Sequence, residues 1–104
     1  MTYAELVAEI TASDPEVHAS KMFGMPCLKL PNGKVFAGHH GDAMTFKLGP
    51  QQEEVLKLDG VKVFEPMAGR PMNGWIEVPE LQSDHWMELA KAAREYVTQA
   101  TAKQ

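Results

Sequence analysis

The residues with chemistry to offer are few and scattered. Arg70 is one of two arginines and stands in the segment Gly69-Arg70-Pro71-Met72, where neighbouring Gly and Pro would hold the backbone stiff. A guanidinium presented that way suits a carboxylate or phosphate, in a ligand or within the chain, with Glu65 and Glu77 as internal candidates. His39 and His40 are adjacent, so on a strand they point to opposite faces and cannot share one metal ion. Cys27 and His40 fall on a common face, but two ligands are short of the three or four that zinc requires. The expected metal set is therefore none. As a nucleophile, Cys27 would need a base and a lowered pKa, and no Cys-His-Asx signature accompanies it. Glu53, Glu54 and Asp84 are accounted for by helix-end electrostatics. No glycine-rich phosphate loop, serine elbow or metalloprotease helix occurs, so no catalytic residue and no cofactor is expected.

Methionines are numerous, seven in 104 residues. Met fills irregular cores and also makes adaptable contact surfaces. Met25, Met67 and Met72 fall in expected loops, near Phe23 and Trp75 in sequence. If those loops converge, they make an apolar patch beside Arg70. The candidate partner or ligand site is accordingly Phe23, Met25, Met67, Arg70, Met72 and Trp75.

These residues are held by a meander from Cys27 to Leu48. Asn32-Gly33 and Gly41-Asp42 read as two-residue turns between three short strands. The first turn pairs Leu30 with Val35 and Leu28 with Ala37. The second pairs His39 with Met44, Ala37 with Phe46 and Val35 with Leu48. Both registers put Leu28, Leu30, Val35, Ala37, His39, Met44, Phe46 and Leu48 on one apolar face. Cys27, Lys29, Phe36, Gly38, His40, Ala43, Thr45 and Lys47 take the other. One apolar and one mixed face describe an antiparallel sheet packed on helices from one side.

Around the meander, Thr2 to Glu5 has capping-box spacing and starts a helix with Tyr3, Leu6, Val7 and Ile10 on one stripe, ending at Ser13-Asp14-Pro15. Val17 to Met22 is a candidate first strand. Gly49-Pro50 opens a short helix that stops at Gly60, with Val55, Leu56 and Leu58 inward. Val61 to Phe64 and Trp75 to Val78 read as strands around a loop rich in Gly and Pro. Ser83 or Asp84 caps a last helix with Trp86, Leu89, Ala90, Ala93 and Val97 inward, expected to fray after about Thr98.

Met22-Phe23-Gly24, then Phe64 through Met72, then Trp75 to Pro79 and the final helix together resemble the N-terminal domain of the TfoX/Sxy family, over about Tyr3 to Val97. The resemblance implies an α+β domain of the secretion-chaperone-like kind, α-β(3)-α-β(2)-α. It implies a regulatory role without catalysis, since the family's named members regulate natural competence. It supplies no catalytic residues, and this chain stops where those regulators continue into a helical C-terminal domain.

The whole chain supports the same expectations. At 104 residues it reads as one domain, burying roughly 65% of its exposable surface. A net charge of −4 with no run of Lys or Arg disfavours nucleic acid, although Lys29 and Lys47 share a face. One cysteine, no leader and no long apolar run point to a cytoplasmic protein off the membrane. The expected partner is another protein or a second copy. A small molecule or anion held by the Arg70 loop is the alternative.

Overall fold

The computed structural model describes residues 1–22, 24–65, 69, 72 and 74–102. Helix α1 (Tyr3–Ser13) precedes strands β1 (His18–Met22), β2 (Met25–Lys29), β3 (Val35–His40) and β4 (Ala43–Lys47). A 3-10 turn at Gly49–Gln51 leads into α2 (Gln52–Val55), followed by β5 (Lys62–Val63) and β6 (Trp75–Val78). A second 3-10 segment, Glu80–His85, runs into the last helix, α3 (Trp86–Ala102). All strands join one antiparallel sheet in the order β1-β2-β3-β4-β6-β5. This is the expected α+β arrangement, with β1 adding a strand ahead of the three-stranded meander.

The capping box forms as the sequence requires. The Thr2 hydroxyl accepts from the Glu5 amide at 3.1 Å, and the Glu5 carboxylate accepts from the Thr2 amide at 2.9 Å. Those bonds also hold the Glu5 carboxyl below the usual range. Leu6 and Ile10 of α1 then meet Trp86, Leu89, Ala90, Ala93 and Val97 of α3 over Leu28, Phe36, Ala37, Met44, Phe46, Ile76 and Val78 of the sheet. The Trp86 indole donates to the Val78 carbonyl at 3.3 Å, so its one polar group is satisfied inside this core.

The second hairpin has the expected register, with Ala37 opposite Phe46, His39 opposite Met44 and His40 opposite Ala43. The first does not. Gly33 donates to the Leu30 carbonyl, and Leu30 donates to the Lys34 carbonyl, so the loop is Pro31 to Gly33 and not Asn32-Gly33 alone. Pro31 has its φ preset for the first central position of a turn, and Gly33 follows at φ 85°, where a side chain is disfavoured. The extra loop residue pairs Val35 with Lys29, and a bulge restores Leu28 opposite Ala37. Phe36 therefore enters the core, fully buried, while Val35 stays half-buried outside it. Each is on the side opposite to expectation.

The helices differ in extent as well. α2 is a single turn, short of the expected run to Gly60, although Val55 and Leu56 pack on the core as read. Ser83 and Asp84 lie inside the second 3-10 segment rather than capping α3, and α3 continues past Thr98 to Ala102. No helix among the described residues is long and apolar enough to cross a membrane.

Candidate functional site

The face of the sheet away from α1 and α3 brings together residues that the chain holds far apart. The registers set Ser20, Cys27, Gly38, Thr45, Glu77 and Lys62 in one row from β1 to β5. Cys27 is 1% exposed and Thr45 0%, so this outer face is a second, smaller packed layer. Thr45 donates to the Gly38 carbonyl at 3.2 Å, which satisfies its hydroxyl where water does not reach. The Met25 side chain lies over Gly38, so close that a Cβ there would stand 2.6 Å from the Met25 Cε. Lacking a side chain, Gly38 leaves the slot that Met25 fills.

Several of the named candidates belong to this layer. Met25 is the first residue of β2 and not part of a loop. Trp75 opens β6 opposite Lys47, is 6% exposed, and has its carbonyl bonded by the Phe64 amide and its amide bonded to the Met72 carbonyl. Met72 is half-buried beside them, its amide donating to the Phe64 carbonyl. Phe23, Met67 and Arg70 lie outside the described residues. Burial makes Trp75 a packing residue, which corrects its expected place in an exposed patch.

Glu77 has partners other than Arg70. His40 Nδ1 lies 3.1 Å from its Oε1, and Lys62 Nζ lies 3.4 Å from its Oε2. Phe64 meets the His40 ring edge-on, with centroids 5.3 Å apart. These residues border a cleft of about 570 Å³ that Asp42, Glu65 and Glu80 also line. Among the described residues, four carboxylates line it against Lys62 and one imidazole. Among the described residues, no group of three or more His, Cys, Asp or Glu is placed to hold a metal ion.

The two adjacent histidines point to opposite faces, as their positions require. His39 turns to the helix side and stacks on Tyr3. Burial, with Lys29 opposing it, pushes the Cys27 thiol up, away from the thiolate a nucleophile needs.

β1 forms one edge of the sheet, with β2 on one side and no strand on the other among the described residues. Lys21 stands opposite Pro26, which has no N–H to exchange, so theirs is a non-hydrogen-bonded pair. Alternation then turns the backbone groups of Ser20 towards β2 and those of Ala19 and Lys21 outward. The side chains of His18, Ala19 and Lys21 are exposed. The sequence showed this stretch only as a weak alternation, because a strand bare on both faces has little apolar pattern to read. Thr45, Gly38 and Cys27 were legible as cross-strand neighbours from the turns alone; Phe64 over His40 was not, since no local pattern joins β5 to β3. No family model matches this chain, and neither a curated protein nor a solved structure does.

Proposed function

We propose that this chain is a small cytoplasmic regulatory module that binds another protein and carries out no reaction itself. One observation carries the reading: the β1 edge presents the outward N–H and C=O groups of Ala19 and Lys21 to solvent along a five-residue strand. Such an edge is a template for an added strand, and sheets that do not use theirs blunt it with proline, bulges or charged side chains, of which β1 has one, Lys21. β1 contains no proline, and its pairing with β2 runs without a register shift. The opposite edge, β5, has two residues, too few to hold a partner strand.

Supporting the absence of catalysis, Cys27 is buried with its pKa raised, and of the four histidines the adjacent pair His39 and His40 is engaged by Tyr3 and by Glu77 with Phe64, and His85 by Glu88. The resemblance to the TfoX/Sxy N-terminal domain points to regulation too. A free, buried cysteine suits a reducing compartment.

The test is recovery of bound protein from the source cell's lysate on the tagged chain, compared with Ala19→Pro. Proline at an outward position removes the edge donor and leaves the β1–β2 ladder intact. A partner retained by wild type and lost from a variant that melts within a few degrees of it is the expected result. Equal retention by both, or none by either, rejects the reading.

A further inference from the structure

We propose that the strand added at β1 is an extended segment bearing acidic side chains; this rests on the interaction reading above and names the chemistry of the partner. The charge of −4 is unevenly spread. Asp42, Glu65, Glu77 and Glu80 gather around the cleft by β5 and β6. At the other end, the register sets His18 directly opposite Lys29 on the outer face, while Lys21 projects from the helix-side face of β1. No carboxylate among the described residues lies within 4 Å of Lys21 or Lys29. The acids nearest β1 in sequence are already engaged: Arg94 holds Asp14 at 2.7 Å and Glu16 at 3.0 Å. β1 thus carries an exposed lysine, Lys21, with no carboxylate beside it among the described residues.

That charge chooses among occupants. A second copy pairing antiparallel through its own β1 brings the outward Ala19 and Lys21 into hydrogen-bonded pairs about Ser20. It sets Lys21 opposite the second copy's Ala19 and, because β1 holds no Asp or Glu, brings no carboxylate to either lysine. An extended segment with carboxylates at alternate positions makes the same backbone bonds and sets an acid against Lys21 on the helix-side face.

The probes are two end-blocked, dye-labelled heptapeptides, one alternating valine with glutamate and one valine with lysine, titrated with the full chain by fluorescence anisotropy. The glutamate peptide should bind at least about tenfold more tightly than the lysine peptide, and more weakly as salt rises. Lys21→Glu should remove most of that preference, and Ala19→Pro should remove binding of both. Equal affinities, or an unchanged preference in Lys21→Glu, would overturn the proposal. So would a wild-type dimer in sedimentation that Ala19→Pro dissolves, since a second copy would then hold the edge. If the glutamate peptide fails to bind while a lysate partner is still lost with Ala19→Pro, the acidic segment is wrong and the interaction reading stands. Failure of both rejects both.

Discussion

The Tyr3 ring lies parallel to the imidazole of His39, with centroids 4.8 Å apart and planes 7° apart, joining the first turn of α1 to the end of β3. The Tyr3 hydroxyl is buried with no hydrogen-bond partner among the described residues. Burial, with a smaller push from Cys27, raises the phenol to about 12. Ionisation is easier in the unfolded chain, so this stability is whole below about pH 10 and is lost as pH rises towards 12. Melting temperature measured from pH 8 to 12 should fall less steeply in Tyr3→Phe. Near pH 8, removing an unpaired buried hydroxyl should raise stability by about 0.5–1 kcal/mol.

The bulge in β3 makes opposite predictions for two adjacent side chains. Phe36→Ala opens a cavity under the helices and should cost about 3–5 kcal/mol in urea denaturation. Val35→Ala should cost less than about 1 kcal/mol. Equal costs would restore the register of a two-residue turn.

Gly38 and Met25 are coupled through shared space. Gly38→Ala should lose about 1 kcal/mol as its Cβ displaces the Met25 methyl, and should lose little in a Met25→Ala background. The double-mutant cycle by chemical denaturation measures that coupling, and additive losses would show that the outer layer has room to spare.

Cys27 should react as a protected thiol. Iodoacetamide at pH 8 should modify it at least about a hundredfold more slowly in the native chain than in urea, because attack needs local opening and a thiolate that burial disfavours. Matching rates would mean that the outer layer is open.

Arg94 joins α3 to the segment after α1. Arg94→Met keeps much of the stem and removes the bonds to Asp14 and Glu16, and should cost about 0.5–1 kcal/mol. That cost should shrink in about 1 M salt, measured by thermal melting in both conditions.

Much of this architecture was legible because it is local. The capping box at Thr2, the stripes of α1 and α3 and the Gly41-Asp42 hairpin each depend on residues a few positions apart, where spacing translates directly into direction. The first hairpin misled because Asn32-Gly33 is a turn signal in its own right, and Pro31 recruits it into a longer loop. Of the candidate residues, Met25 was expected in a loop and opens β2, and Trp75 was expected in an apolar patch and is buried. Patterns of type and spacing do not show whether an apolar residue is covered by a distant segment.

By itself, the sequence determined that an antiparallel meander with one apolar face would lie under two amphipathic helices, since alternation and turn chemistry leave few other arrangements. Only the tertiary structure decided that Phe36 and not Val35 enters the core, and that Cys27, Thr45 and Trp75 are sealed on the far face. It alone decided that the strand left bare at the edge is β1, which carries Lys21. Those outcomes depend on which strands become neighbours across the sheet, and pairings between residues distant in the chain leave no periodic trace along it.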